Sequence, residues 1–204
     1  MVFDVGAHYG ESVIEYRKLY PDSEIHSFEP DGKTFATLQS AVQGLERVTC
    51  IQKALSDSEG KATFFVNESS ATNSLLPLSG NAKELWGDAV RSQNEQKEAT
   101  LTTLDNYCEE SQISHVHILK IDVQGAELRV LQGARQMLEK AAIDVIVCEV
   151  IVSQTYQGQN AFWQYLQFAE QHGLALVDLL HPVRKRNQLL QLDAVFVRNG
   201  LLNR

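Results

Sequence analysis

The chain is poor in cysteine, in basic residues and in long apolar runs, and each shortage removes a class of function. Its three cysteines, Cys50, Cys108 and Cys148, are odd in number and far apart, without the C-x-x-C spacing of zinc sites or dithiol redox centres. They read as reduced, buried thiols of a cytoplasmic protein. Lysine and arginine number 18 against 26 acidic residues, a formal charge of -8. A phosphate backbone would be repelled everywhere except at the one basic cluster, Arg184-Lys185-Arg186, so nucleic acid is not an expected partner. No apolar run approaches the roughly 20 residues that span a bilayer, and no early segment has the pattern of a cleavable signal. Membrane association is not expected either, although Met1 stands so near the first apolar run that there is room for an upstream segment.

Two phosphate-binding fingerprints are also missing. GxxxxGK[ST] is absent, which argues against a P-loop NTPase. The first loop, Gly6-Ala7-His8-Tyr9-Gly10, carries His8 where the dinucleotide fingerprint GxGxxG has its middle glycine, so close approach of a pyrophosphate is poorly supported.

What is present is a regular alternation. The runs VFDVG, EIHSFEP, VTCIQKAL, HILKIDV, DVIVCEVI, LALVDLL and DAVFVR read as strands, rich in Val, Ile and Phe and bounded by polar residues or glycine. Helix-period stretches lie between them at 11–20, 33–43, 126–140 and 161–172, the last followed by a C-terminal capping glycine, Gly173. Strand and helix in alternation predict an open, mostly parallel α/β sheet covered on both faces. Only the short basic turn HPVRKRNQ separates the last two strands, so these should pair antiparallel. At 204 residues the chain suits a single domain, 1–204. KATFFV looks like an extra short strand, and 67–99 is polar and weakly periodic, with at most a short helix around Leu85 and Trp86. An irregular stretch of that length suggests a lid or substrate loop.

In such sheets ligands bind at the carboxyl ends of the strands. Those ends carry Asp4 and Gly6, Glu29, Ser56 and Asp57, Asp122 with Gln124, Glu149, and His181. A glycine turn admits a ligand to backbone N–H groups, and Glu29, about 20 residues after Gly6, is placed to accept both hydroxyls of a ribose. A cofactor without phosphates, such as S-adenosylmethionine (SAM), fits this first loop better than NAD; its amine would pair with a carboxylate such as Asp4. Each acid also has a structural reading, as a helix cap or turn former. His115 and His117 share one strand face but sit at the opposite end of their strand, which favours a structural or surface role. His8 and His181 lie nearer the expected site, and Tyr9 and Tyr156 are candidates for its wall.

The ordered blocks VFDVGAHYGES, HSFEPD, KALSDSEGKATFFV, SATNSLL, TLTTLDNY, LKIDVQGAELRVLQGA and IVCEV resemble the FkbM family of SAM-dependent methyltransferases over almost the whole chain. The block LKIDVQGAELRVLQGA, preceded by TTLDNY, is the most specific. The family commonly has Asn where this chain has His8, and often Glu where it has Gln124. The resemblance implies the class I methyltransferase fold: a Rossmann-like three-layer sandwich around a mostly parallel seven-stranded sheet with an antiparallel last strand. It also implies O-methylation of a hydroxyl on a sugar, glycan or secondary metabolite. Carried over by position, Asp4, Gly6 and Gly10 would bind the methionine end of SAM, Glu29 the ribose, and Ser56 and Asp57 the adenine. Asp122 would lie beside the reacting methyl, and Glu127 and Glu149 are family-typical acids. Asp122, Glu149 and His8 are the candidates for the base that deprotonates the acceptor. A divalent ion shared by Asp122 and Glu149 could do the same work by lowering the hydroxyl pKa, but two carboxylates without a clear third ligand are weak evidence for metal. The alternatives are an NAD(P)-dependent oxidoreductase and a non-catalytic SAM- or nucleoside-binding protein of the same fold.

Overall fold

The computed structural model describes residues 1–87, 90 and 93–202. The chain opens with β1 (Val2–Val5), α1 (Glu11–Leu19), β2 (Ile25–Phe28), α2 (Gly32–Ala41) and β3 (Val48–Ile51). A second group follows: β4 (Ala54–Leu55), β5 (Gly60–Asn67), a 3-10 turn at Ser70–Thr72, α3 (Ala82–Trp86) and β6 (Gln93–Thr102). The remainder is α4 (Leu104–Glu110), β7 (Val116–Ile121), α5 (Glu127–Gln132), α6 (Arg135–Glu139), β8 (Ile143–Ile151), α7 (Phe162–Gln171), β9 (Leu174–Lys185) and β10 (Gln188–Arg198).

Seven strands form one sheet in the order β3-β2-β1-β7-β8-β10-β9. Pairing is parallel from β3 through β8, and β10 runs antiparallel to both its neighbours, so the expected architecture is present with its antiparallel last strand. Residues on the two faces of the strands divide the core. Val2 and Ile25 pack in one cluster with Val13 of α1 and Leu38 of α2. Phe3, Leu119, Ile146 and Phe196 pack on the other face against side chains of α4, α5, α6 and α7. Between β1 and β7 the chain changes direction of travel across the sheet, which opens a crevice at their carboxyl ends.

Four expectations need correction. The run VTCIQKAL is not one strand: β3 ends at Ile51, and Ala54–Leu55 crosses to a separate three-stranded sheet of order β4-β6-β5. Part of the 67–99 stretch is regular, because β6 begins at Gln93 and pairs antiparallel with β5; residues 88, 89, 91 and 92 of that stretch lie outside the described residues. The basic turn HPVRKRNQ is mostly strand, since β9 runs to Lys185 and β10 begins at Gln188. The helix expected over 126–140 is two helices, broken at Gly133-Ala134.

That break has a packing cause. A Cβ on Gly133 would stand 2.0 Å from the carbonyl oxygen of Ser56, so the β4 end is pressed against the helix junction. Asp105 of α4 then starts the second helix, its carboxylate accepting 2.9 Å hydrogen bonds from the N–H groups of Gln136 and Met137. Asp105 of the TTLDNY block is thus a capping residue for the second helix. Gly133→Ala is expected to destabilise the chain by about 3 kcal/mol or more, whereas Gly80→Ala, which points into open space, should change stability by no more than about 0.5 kcal/mol. Urea unfolding of the two variants checks this; equal midpoints would contradict it.

Candidate active site

A cleft of about 560 Å³ opens at the carboxyl ends of β1, β2, β7 and β8 and is roofed by residues 69–73, Leu75, Trp86 and Val90. Of the residues expected there, Gly6, His8, Glu29, Asp122, Glu149 and Tyr156 line it. Asp4, Gly10, Ser56, Asp57, Tyr9 and His181 are not among its lining residues.

The reasons differ. Gly6 has φ +84°, and a Cβ there would meet the Asp122 carbonyl oxygen at 1.8 Å, so the glycine is demanded by the approach of two backbones as well as by any ligand. Gly10, at φ +93°, precedes α1 and faces Leu38 of α2. Asp4 is wholly buried. Neither of its oxygens accepts a close hydrogen bond, and the nearest cation is the Lys120 ammonium, 3.4 Å away. Burial pushes the Asp4 carboxyl up against the pull of Lys120. Ser56 is turned into the protein by the Gly133 contact, its hydroxyl donating to Asp57 at 3.1 Å. The β4 residues just before it, Ala54 and Leu55, reach the cleft instead. His181 sits on β9, exposed and paired with Asp193 at 2.8 Å.

Lys120 was not singled out by motif, yet it lines the cleft and is the cation at its base. It lies 3.4 Å from both Asp4 and Asp122. Burial alone would lower its pKa, but the charges of Asp4 and Asp122, with Tyr16, outweigh burial and raise it. The ammonium thus stays charged. Its signal was available: residues two apart on a strand share a face, and Lys120 precedes Asp122 by two.

Glu29 anchors the other half. Its two oxygens accept the backbone N–H groups of Asp31 at 2.9 Å and His8 at 3.2 Å, which aim the carboxylate along the β2 end. Burial raises its pKa to about 7, although those two hydrogen bonds oppose the shift. His8 occupies the left-handed region at φ 48°. Asn is among the residues that tolerate that conformation best. The His8 imidazole meets the Ser70 hydroxyl at 2.9 Å, and Tyr9 reaches the same hydroxyl at 2.8 Å, tying the first loop to the roof.

Across the cleft, Asp122 and Glu149 are bridged by Gln124. Its side-chain amide nitrogen donates to Asp122 Oδ1 at 2.9 Å and to Glu149 Oε2 at 2.7 Å. Gln191 of β10 donates to the other Glu149 oxygen at 2.8 Å. Burial, and then the charge of Asp122, push the Glu149 carboxyl well above the usual carboxylate range. Gln124 and Gln191 are further residues that motif reading did not assign; the position of Gln191 follows from strand register, in which it pairs with Ile151.

Glu127 takes the structural reading. It is fully buried, accepts the N–H groups of Val123 at 3.2 Å and Gly125 at 2.8 Å, and receives the Tyr165 hydroxyl at 3.1 Å. It therefore holds the turn that presents Asp122 and Gln124. His115 likewise bonds Asp144 at 2.8 Å, a carboxylate shared with Arg198, at the opposite end of the strands from the cleft.

With this geometry in place, comparison with known proteins is decisive for family. Residues 4–175 match the model of the methyltransferase FkbM domain. The chain belongs to the FkbM methyltransferase family. The methyl donor of this family is SAM. The chain is 24% identical over 163 residues to the 2-O-methyltransferase NoeI of Sinorhizobium fredii, covering 78% of this chain and 66% of NoeI. It is 26% identical over 213 residues to the 31-O-demethyl-FK506 methyltransferase FkbM of Streptomyces tacrolimicus, covering 95% and 80%. The chain thus spans just under two thirds of NoeI's length. Among solved structures, M. capricolum TrmK in complex with S-adenosylhomocysteine aligns with TM-score 0.55 at 9% identity, over 97% of this chain and 62% of TrmK. Synechocystis ChlM with bound SAM aligns with TM-score 0.54 at 9% identity, over 97% and 69%. At that identity the likeness establishes the fold, class I methyltransferase. Among the described residues no helix is long and apolar enough to cross a membrane.

The residues fit a SAM-like group: a carboxylate aimed along the β2 end, an orphaned buried carboxylate beneath the first loop, and acids where a cation would lie. The two carboxyls raised to about 7 also set a pH dependence. A carboxyl whose folded pKa exceeds its unfolded value stabilises the fold fully below the unfolded pKa, and that contribution is lost as pH rises through the folded value. Stability of the ligand-free chain should therefore fall from pH 5 to pH 8. In Glu127→Gln the side chain keeps its carbonyl for Val123 and Gly125 and removes one titration, so its thermal midpoint should vary less over that range. A wild-type midpoint that rises from pH 5 to 8 would refute this.

Proposed function

We propose that the chain is an O-methyltransferase that moves the methyl of SAM to a hydroxyl of a sugar, glycan or other small molecule. The bridged Asp122–Glu149 pair, in the same cleft as Glu29, is the observation that supports it most. We assign residues 1–204 to one catalytic unit, with part of 67–99 as cover over the acceptor. Stitching of that segment to the loop after β8 supports the assignment: Ser79 donates its N–H to the Thr155 carbonyl at 2.8 Å, and Trp86 donates to the Thr155 hydroxyl at 2.7 Å.

When bound, SAM supplies a methyl on a positively charged sulfur, a leaving group that needs no further activation. The chain's own residues do the rest. Glu29 receives the ribose hydroxyls, a bidentate task for which both its oxygens are already aimed. Lys120 and the first-loop backbone hold the methionine end, with Asp4 acting through Lys120 rather than by direct contact. Ala54 and Leu55, rather than Ser56 and Asp57, form the wall on the adenine side. Glu149 takes the acceptor's proton: it is desolvated, held by neutral amides on both oxygens, and its affinity for protons is raised, as a base for an alcohol requires. His8 is assigned to the roof, because its side chain is engaged by Ser70. Trp86 and Tyr156, with the seryl and threonyl roof, exclude water around the acceptor. An oxidoreductase is disfavoured by His8 at the fingerprint's middle position and by the family.

Glu29 must be ionised to accept two hydroxyls, so affinity for S-adenosylhomocysteine should increase as pH rises through about 7. Glu29→Gln should weaken that affinity by roughly 10- to 100-fold, the worth of one or two charge-assisted hydrogen bonds, and flatten the pH dependence. Calorimetric titration at pH 6 and pH 8 tests both expectations. No binding by the wild-type chain would sink the proposal.

A further inference from the structure

The unexplained feature of the cleft is Gln124. It occupies the left-handed region at φ 58°, a conformation that a long side chain adopts at a cost, and every polar atom of its side chain is engaged. Its amide nitrogen spends one N–H on each of two carboxyls, Asp122 and Glu149. Its amide oxygen is 3.0 Å from the Tyr156 hydroxyl, which also lies 3.0 Å from the Thr72 carbonyl of the roof. Its backbone carbonyl accepts the Ser74 hydroxyl at 2.7 Å. A residue used only to make a turn would need none of these side-chain bonds.

We infer that Gln124 is a positioning residue that clamps Asp122 and Glu149 into a pair sharing one proton, and that the pair gives up this proton when a positive charge enters the cleft. The inference rests on the methyltransferase reading above and deepens it by naming how the base is made. Two carboxylates that accept from the same amide nitrogen repel each other when both are charged, and burial of Glu149 together with the charge of Asp122 pushes the Glu149 carboxyl up. The asymmetry between them is visible. Asp122 has the Lys120 ammonium 3.4 Å away, whereas the Glu149 oxygens accept the neutral amides of Gln124 and Gln191. The proton therefore resides on Glu149. The other titratable groups facing the pair are Glu127 from α5, Asp193 from β10 and the Tyr156 hydroxyl, with the Cys148 thiol behind. Both acids add to the repulsion.

The proton balance closes over a reaction cycle. SAM carries one positive charge on sulfur, and arrival of that charge lets Glu149 ionise and release its proton to solvent. The hydroxyl oxygen of the acceptor forms the new O–C bond, the S–C bonding pair stays on sulfur, and the hydroxyl proton goes to Glu149. The product thioether is neutral, and the pair is again singly protonated. Glu149 is thus a base only while the methyl donor is present, and a proton acceptor is not left idle in the empty cleft.

The test needs no acceptor. SAM and S-adenosylhomocysteine differ by one methyl and its charge, so binding of each is followed by calorimetry in buffers of different ionisation enthalpy, which counts the protons released. At neutral pH the wild-type chain should release more protons with SAM than with S-adenosylhomocysteine, the difference approaching one. Glu149→Gln should abolish the difference while both ligands still bind. Gln124→Glu, the same shape with a third acid and no N–H donors, should move the pH at which the difference is largest upward by about one unit. Equal proton release by the two ligands in the wild type, a difference that survives Glu149→Gln, or an unmoved maximum in Gln124→Glu would each overturn the inference. Absence of binding by either ligand would instead remove the donor site itself, and this inference with it.

Discussion

The arrangement of the cleft depends on one close contact between backbones. The carbonyl of Asp122, at the end of β7, occupies the space that a side chain on Gly6, at the end of β1, would need. These two strands are neighbours at the point where the sheet reverses its direction of growth, and their paired register places Asp4 directly opposite Lys120. From that contact the rest follows. The first loop is drawn over the β7 end, the Lys120 ammonium is trapped between Asp4 and Asp122, and the turn carrying Gln124 is directed toward Glu149 on the next strand. The glycine pattern is as much a requirement of sheet geometry as of ligand approach.

Charge within the cleft is managed by pairing rather than by solvent. Glu29 is satisfied by two backbone N–H groups, Asp122 by Lys120 and an amide, and Glu149 by amides alone. Glu29 is held by backbone donors, Asp122 stands beside an ammonium, and Glu149, whose oxygens accept neutral amides, has its carboxyl pushed well above the usual carboxylate range by burial and then by the charge of Asp122. The roof adds a second function: Ser70 ties it to His8 and Tyr9, and Tyr156 ties it to Gln124, so the cover and the acid pair belong to one hydrogen-bond network.

Much of this was legible in the chain. Strands β1, β2, β7, β8 and β10 announce themselves as short apolar runs because they lie in the sheet interior, and the acids at their ends mark the crevice. What was hidden was whatever depends on pairing or on contact between distant segments. Strand β6 reads as QNEQKEATLT, polar because Glu95, Gln96 and Glu98 face outward; only its alignment with β5 identifies it as a strand. The basic turn became strand for the same reason. Helix α4 is too short for a periodic signal, and the break between α5 and α6 arises from a carbonyl that comes from Ser56. At the site, Asp4 and Ser56 carry the expected residue types at the expected positions, but their side chains are turned inward. Lys120 sits within the apolar run HILKIDV and carried no motif signal, and Gln124 stood only as a departure from a motif until its three side-chain partners were seen.

The central claim is that one cleft holds the donor with its ribose on Glu29 and its reacting sulfur toward the Asp122–Glu149 pair. The most direct measurement is a crystal structure of the complex with S-adenosylhomocysteine. The account predicts both ribose hydroxyls on the Glu29 carboxylate and the sulfur facing the side of the cleft where Gln124 bridges the two acids. A ligand bound elsewhere, or one in this cleft with its sulfur turned away from that pair, would contradict it.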